Sequence, residues 1–222
     1  MDVKEAVLVR RSIRAFRPDP VPRQILEEIM HRALWAPSWG NTQPCGLTFV
    51  GGSTLEKIRE EVGELRRKNA PARPDMTMPT TFPEAQATRY KGLGKAVLEA
   101  LRIQREDQEK RAAYYVDMSL AFGAPHMIYL HLQKGFNPYA LMDGGIMLQT
   151  IALLAVERGL GTCFLAVSVL YPDLLRKWTG IPEDRVIVMG LAMGYPASDH
   201  PVNCFERNRG NPGEFLQWVD IA

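Results

Sequence analysis

The chain has 222 residues, of which 46% are apolar and 23% are charged, the ordinary balance of a folded globular protein. These values exclude a disordered chain, a collagen-like repeat and a small disulfide scaffold, and the length predicts a single domain. The formal net charge of +2 is too small to indicate a polyanionic partner. We therefore expect no nucleic acid and no membrane among the partners.

The cysteines and the N-terminal residues both predict a cytoplasmic protein. The cysteines are odd in number and widely spaced, which is typical of reduced thiols; they are Cys45, Cys163 and Cys204. Only a brief apolar patch precedes Arg10 and Arg11, unlike the core of a secretory signal. The longest apolar stretch, residues 144–156, is interrupted by polar residues and is shorter than the ~20 residues of a membrane helix.

The first part of the chain predicts three helices and a short strand. Helical spacing of apolar residues covers 2–9 and the segment between Pro22 and Pro37, since proline favours a helix start and opposes helix continuation. A strand is predicted over 47–50, and Ser53 or Thr54 is placed to cap a helix that runs to about residue 68.

Residues 69–113 differ from the rest in composition. Prolines and threonines over 69–82 predict an irregular loop. Residues 83–113 predict one long polar helix with charges of alternating sign. The segment is therefore either a solvated helical insertion or a lid over a substrate pocket.

The second half predicts strands alternating with helices around a small sheet. Strands are expected over 126–132, 162–167 and 186–193, helices over 143–158 and 171–178, and an extended arm from 195 onward. Asp143 is placed to cap the apolar helix, a role we favour over a catalytic one. Without a regular βαβ alternation, the pattern predicts an α+β fold.

Three other chemistries lack support in the sequence. Gly159 and Gly161 follow a helix and precede a strand, the reverse of the order in a dinucleotide-binding fingerprint, so they predict a helix cap and a turn. His126 and His131 are five residues apart on a predicted strand, so they point to opposite faces and cannot share a metal there. No nucleophile motif supports a hydrolase.

A local excess of arginine precedes the second helix. Arg10, Arg11, Arg14 and Arg17 fall within eight residues, and the planar guanidinium fork suits a phosphate dianion. Ser12 adds a hydroxyl that would share one face with Arg14 in an extended segment. The alternative is a solvated basic turn.

A second distinctive stretch, residues 35–44, reads WAPSWGNTQP. Its prolines stiffen the chain and reduce the entropy lost on binding. The amides of Asn41 and Gln43 can both donate and accept, so they can recognise the edge of a heteroaromatic ring. The alternative is an ordinary proline-rich turn.

Taken in order, RRSIR, APSWGNTQP and a buried helix ending in GLGTC resemble the nitroreductase-like family of FMN flavoproteins. The resemblance covers essentially the whole chain. It implies one FMN-binding domain over 1–222, with 69–113 as a variable lid-like insertion. The implied fold is an α+β sandwich with a central, mainly antiparallel sheet flanked by helices, forming an intertwined homodimer with FMN at the interface.

The resemblance also implies the cofactor contacts. The FMN phosphate and the ribityl or pyrimidine edge would be held by Arg10, Arg11, Ser12 and Arg14, with Arg207 or Arg209 also near the phosphate. The partner subunit would supply Pro37, Ser38, Trp39, Asn41 and Gln43. The turn of Phe164, Leu165 and Ala166 would place a backbone N–H near the flavin ring. Trp39 would stack on the ring or pack at the interface, and we favour packing.

The implied activity is an FMN-dependent NAD(P)H oxidoreductase that reduces electron-poor small molecules, such as nitroaromatics or quinones, in a ping-pong cycle. The donor would be NADH or NADPH, and no catalytic side chain is required because FMN carries the chemistry. Tyr114 and Tyr115 are candidate substrate contacts. The alternatives are a reductive dehalogenase or another flavin-dependent reaction of the superfamily, and a non-catalytic flavin-binding protein.

Overall fold

The computed structural model describes residues 1–221, which form eight α-helices and four β-strands. The helices are α1 (Val3–Val9), α2 (Arg23–Ala33), α3 (Gly52–Arg67), α4 (Glu84–Ala100), α5 (Gln108–Ser119), α6 (Pro138–Glu157), α7 (Pro172–Thr179) and α8 (Pro201–Cys204). The strands are β1 (Gly46–Gly51), β2 (His126–Gln133), β3 (Gly161–Leu165) and β4 (Arg185–Gly194).

The four strands form one sheet in the order β1-β2-β4-β3, and every neighbouring pair is antiparallel. A bulge between Leu130 and His131 shifts the pairing of β2 with β4. The sheet and its flanking helices confirm the predicted α+β sandwich.

Both faces of the sheet are covered, and β2 shows how. Met127 and Tyr129 pack into a core that includes residues of α3 and α7. Ile128 and Leu130 point the other way, into a core shared with α2 and α6. All four side chains are buried, so successive residues of the strand must be apolar although side chains alternate between faces.

The 20-residue helix α6 is long and apolar enough to cross a membrane by length and composition alone. In this fold Leu148, Ile151 and Ala155 of α6 are buried in the core that includes β2 and β4. Met142 and Ile146 are exposed. The helix therefore serves as a core element that leaves part of its apolar surface uncovered.

The predicted starts of two helices were wrong. Helix α6 begins at Pro138, because the Asn137 side chain accepts hydrogen bonds from the following backbone N–H groups. Asp143 consequently lies inside the helix and is not its cap. Helix α3 begins at Gly52 after Gly51, without a side-chain cap from either Ser53 or Thr54.

The single long helix predicted over 83–113 is two helices, α4 and α5. Arg102 adopts a left-handed conformation with a φ of 55°. The N–H groups of Arg102 and Ile103 donate to the carbonyls of Glu99 and Leu98, the Schellman pattern that ends a helix. Asp107 then caps α5.

The third predicted strand was too long at its C-terminal end. Strand β3 ends at Leu165, and residues Ala166–Val169 form a 3₁₀ turn.

The helix cap predicted at Gly159, before β3, is confirmed. Gly159 ends α6 with a φ of 69°, its N–H donates to the carbonyl of Val156, and the N–H of Leu160 donates to the carbonyl of Ala155.

The arginine-rich segment is fixed to the free edge of β3. Ser12 forms a parallel bridge with Thr162, and the Ile13 N–H donates to the Thr162 carbonyl at 2.9 Å. Gly161 permits this approach, since a Cβ there would lie 2.4 Å from Cγ1 of Ile13. The sheet thus sets the position of the basic run.

We expect Gly161→Ala to destabilise the fold by about 1–3 kcal/mol, because the added methyl overpacks the contact with Ile13. Gly94 of α4 is the matched control, since a Cβ there meets no atom within 4 Å. Gly94→Ala should stabilise the exposed helix by up to about 1 kcal/mol. Urea unfolding measures both; a Gly161→Ala protein as stable as wild type would contradict the prediction.

Candidate functional site

A cavity of about 690 Å³ lies between the arginine-rich segment, helix α4 and the C-terminal arm. Six of its lining residues are arginines, and Glu206 is the single acid. The lining residues are Arg10, Arg11, Ser12, Arg14, Arg89, Gly92, Leu93, Ala96, Phe205, Glu206, Arg207, Asn208, Arg209, Gly210 and Phe215. The cavity brings together the predicted phosphate-binding residues from both ends of the chain.

Asn203 joins the C-terminal arm to the arginine-rich segment. Its side chain is buried; Oδ1 accepts from the Arg14 N–H at 2.8 Å, and Nδ2 donates to the carbonyls of Ala15 and Ala197 at 2.8 and 2.9 Å. Because its amide is satisfied on both sides, Asn203 can hold two distant segments in register. Sequence reasoning missed this residue, which carries no motif.

Some of these arginines donate hydrogen bonds to distant backbone carbonyls, and others keep guanidinium N–H donors free. Arg207 donates to the carbonyls of Leu8 and Arg10. Arg11 donates to the Phe205 carbonyl at 2.6 Å, and its guanidinium lies 5.4 Å from the centre of the Phe205 ring. The side chain of Arg209 donates only to the neighbouring Asn208 carbonyl.

The positive charge of this arginine cluster is not compensated by acidic partners in the described chain. Within residues 1–221, none of Arg10, Arg11, Arg14, Arg207 and Arg209 forms an ion pair with a carboxylate. Burial, and next the charge of Arg207, lower the pKa of both Arg10 and Arg11. The Nε atom of Arg11 is buried without a hydrogen-bond partner. A bound anion would relieve the mutual repulsion and supply acceptors.

Helix α4 and the C-terminal arm close the cavity through Arg89. Its guanidinium pairs with the Glu214 carboxylate and lies 5.0 Å from the centre of the Phe215 ring. No motif in the sequence predicts this contact, because Arg89 lies in the polar insertion and Glu214 is 125 residues away.

Neither of the predicted substrate contacts, Tyr114 and Tyr115, lines this cavity. Burial raises the pKa of the Tyr114 hydroxyl, and the nearby charge of Arg14 opposes that shift. The Tyr114 ring lies 5.8 Å from that of Phe122. Tyr115 is exposed on α5. Of the two tyrosines, Tyr114 is therefore the one placed next to the arginine cluster.

The turn after β3 also lies outside the cavity lining. Phe164 and Ala166 are half-buried, whereas Leu165 is buried. The Leu165 carbonyl accepts from the Ser168 hydroxyl at 2.7 Å. Since β3 pairs with the segment that begins at Ser12, this turn follows directly from the strand beside the arginine run.

The predicted flavin-facing loop lies apart from the arginines. Pro37 is exposed and Ser38 half-buried, and residues Trp39–Asn41 form a 3₁₀ turn followed by the exposed Gln43. None of these residues lines the arginine cavity. A second cavity of about 340 Å³ is lined by Trp39, Thr42, Gln43, Pro44, Gln133, Phe136, Asn137, Ala140, Asp143 and Arg185. One chain alone therefore does not join the two predicted parts of the site.

The two histidines of β2 form hydrogen bonds with distant parts of the chain. His126 accepts from the Val21 N–H at 3.0 Å, and His131 shares a hydrogen bond with the Thr48 hydroxyl at 3.1 Å. Among residues 1–221, no group of three or more His, Cys, Asp or Glu side chains could hold a metal ion.

The antiparallel α+β sandwich holds five arginines without carboxylate partners around one cavity, and guanidinium donors of this kind suit a phosphate-bearing ligand. Residues 7–195 match the Nitroreductase family. The chain belongs to this family, which confirms the resemblance inferred from RRSIR and APSWGNTQP.

Known relatives span nearly the whole chain. The "Nitroreductase NfnB" of Mycolicibacterium smegmatis is 30% identical over 197 residues, covering 87% of this chain and 82% of the relative. The "4-nitrobenzoate reductase" of Pseudomonas putida is 27% identical over 208 residues, covering 94% and 91%. The crystal structure of an FMN and NADPH-dependent nitroreductase NfnB from Sphigopyxis sp. strain HMH has a TM-score of 0.95 at 31% identity, with both chains fully covered.

Inorganic phosphate should raise the melting temperature of the flavin-free protein, because an anion bound only by the folded state stabilises it. The gain is about 1.4 kcal/mol when phosphate is at ten times its dissociation constant. Arg209→Ala should reduce the shift. Arg17→Ala is the control, since Arg17 pairs with Asp19 outside the cavity. Thermal scans in phosphate and in chloride of equal ionic strength measure the effect; equal melting temperatures in both salts would contradict it.

Proposed function

We propose that this protein is an FMN-dependent NAD(P)H oxidoreductase that reduces nitroaromatic or quinone-like small molecules. The observation that carries the proposal is the cluster of arginines without acidic partners, which offers phosphate-binding donors to a cavity of about 690 Å³. The names of the relatives, which include nitroaromatic reductases, an FMN and NADPH-dependent enzyme and an NADH dehydrogenase, support the reaction class with either nicotinamide as the electron donor.

The residues present fit an FMN phosphate. The buried, unpartnered Nε of Arg11 and the depressed pKa values of Arg10 and Arg11 are features that a dianion would correct. Of the two candidates in the arm, we assign the direct phosphate contact to Arg209, because Arg207 already donates to the carbonyls of Leu8 and Arg10. Arg207 then positions the arm.

When bound, FMN would supply the redox chemistry that links a reduced nicotinamide to the second substrate. The chain's own task is binding and electrostatics. Arg10, Arg11, Ser12 and Arg209 would hold the phosphate. The positive charge of Arg14 would stabilise negative charge on the flavin. Tyr114, next to Arg14, would line the substrate side. The backbone turn at Phe164–Ala166 would offer N–H donors, and protons would come from water.

A homodimer would supply the remaining flavin contacts. Large apolar side chains are exposed on α1, on α6 and after α2, including Val3 (76%), Trp35 (89%), Trp39 (60%) and Met142 (62%). Helices α1 and α2 both pack against α6, so these exposed residues lie on neighbouring elements. A concentration of exposed apolar groups is typical of a protein interface. We propose that a second copy covers this surface and contributes Pro37, Ser38, Trp39, Asn41 and Gln43 to the site.

The remaining assignments follow from that arrangement. We propose that residues 1–222 act as one FMN-binding domain and that 69–113 is a lid-like insertion, since α4 within it lines the arginine cavity. The three free cysteines support a location in the cytoplasm, where thiols stay reduced.

Purified protein should be yellow and hold one FMN per chain. Arg209→Ala should weaken FMN affinity by about 10- to 100-fold, the value of one charge-assisted hydrogen bond, without lowering the melting temperature of the flavin-free protein, because it removes a charge that repels Arg10. Arg207→Ala should lower both the FMN affinity and the melting temperature of the flavin-free protein, because it also releases the C-terminal arm. Fluorescence titration measures affinity, with Arg17→Ala as the control. A colourless protein that does not take up added FMN would overturn the assignment.

The loaded enzyme should oxidise NADPH or NADH when a nitroarene is added, with the parallel double-reciprocal lines of a ping-pong cycle. The same assay with a halophenol as acceptor tests the dehalogenase alternative. Loss of FMN absorbance in the presence of oxygen tests another reaction of the superfamily, the oxidative fragmentation of the flavin itself. Absorbance at the NAD(P)H band follows the reaction. FMN binding without oxidation of either nicotinamide by any acceptor would indicate a flavin-binding protein and contradict the proposed activity.

A further inference from the structure

The loop of residues 37–44 has an unusual backbone. Gly40, Asn41 and Gln43 all have positive φ values, of 55°, 57° and 47°. Glutamine seldom adopts this region, and such conformations persist only where the surroundings hold them. The loop therefore needs an external restraint.

That restraint comes from helix α6. The Trp39 N–H donates to Oδ1 of Asp143 at 3.1 Å, and within residues 1–221 this is the only hydrogen bond that ties 37–44 to another element. One turn earlier on α6, the Tyr139 ring stacks on the Trp39 ring at 5.9 Å. The remaining bonds, such as Gln43 N–H to the Ser38 hydroxyl at 2.9 Å, lie within the loop.

Asp143 carries a structural cost that its position in the helix does not explain. The residue is 6% exposed and has no Lys or Arg ion-pair partner in the described chain. A buried carboxylate without a cation is costly, so its retention requires a compensating role. Its observed partner is the first N–H of the strained turn.

We propose that Asp143 is a positioning residue that holds loop 37–44 in the conformation needed to complete the flavin site of the partner subunit. The inference rests on the proposed function. It assigns to Asp143 an effect on the partner's cofactor site and not on the arginine cavity of its own chain, since neither Asp143 nor the loop lines that cavity.

The restraint that Asp143 places on loop 37–44 can be measured in the flavin-free protein. In the flavin-free protein, Asp143→Ala should increase amide hydrogen exchange in a peptide covering 37–44 and leave peptides of β2 and β4 unchanged. Asp143→Asn should restore protection, because its amide oxygen can accept from the Trp39 N–H. Ser119→Ala is the matched control, as another buried polar side chain with one backbone bond. Unchanged exchange in Asp143→Ala would overturn the proposal.

If Asp143→Ala fails to fold, Trp39 gives a second route to the same bond. Trp39→Pro removes the donor at the first position of the 3₁₀ turn, where proline is tolerated after the extended Ser38. Trp39→Ala keeps the N–H and removes only the ring. Faster exchange in Trp39→Pro than in Trp39→Ala supports the proposal, and equal exchange contradicts it.

The effect on the partner's site is tested in a mixed dimer. Arg14→Ala damages the arginine side of a site, and Asp143→Ala damages the loop side. Each homodimer should lose FMN affinity at least about tenfold. A two-tag mixed dimer combines both defects in one site and leaves the other intact, so it should retain one FMN per two chains with wild-type affinity.

These experiments distinguish a failure of the role proposed for Asp143 from a failure of the proposed function. A mixed dimer without tight FMN, or an Asp143→Ala homodimer that binds FMN like wild type, would overturn the role of Asp143 in the partner's site. A wild-type protein that binds no FMN would instead overturn the proposed function, and the exchange measurement would still show whether Asp143 holds the loop.

Discussion

The repulsion among arginines gathered around one cavity is the constraint on which the site depends. Backbone carbonyls of Leu8, Arg10 and Phe205 hold Arg207 and Arg11 in place, and the buried amide of Asn203 joins their two segments. Burial and neighbouring charge lower the pKa of Arg10 and Arg11. An anionic ligand bound in the cavity would relieve this repulsion and so stabilise the folded chain.

The sheet provides the rigid frame for this cluster. Strands covered on both faces leave little freedom for β3 to shift, and the arginine-rich segment pairs with the edge of β3 through Ser12 and Ile13. Helix α6 covers one face of the same sheet and holds the 37–44 loop through Asp143. Both sides of the proposed cofactor site are therefore fixed to a single core, although one chain keeps them apart.

The features that could be predicted from the sequence are those marked by the pattern of neighbouring residues. The apolar strands, the helix end at Gly159 and the arginine run follow from periodicity and residue chemistry. Sequence reasoning missed the break after α4, because Arg102 takes the left-handed position that glycine usually marks. It misplaced Asp143, because Asn137 was the true cap of α6. Arg89 and Asn203 were not predicted, since their partners lie more than a hundred residues away.

The central claim is that the arginine cluster binds the phosphate of a flavin nucleotide. Calorimetric titration of the flavin-free protein with FMN and with riboflavin isolates that group, because the two ligands differ only in the phosphate. We expect FMN to bind at least about 100-fold more tightly than riboflavin, since two charge-assisted hydrogen bonds contribute about 1.5–3 kcal/mol each, and we expect added salt to narrow the difference. Equal affinity for FMN and riboflavin would contradict it.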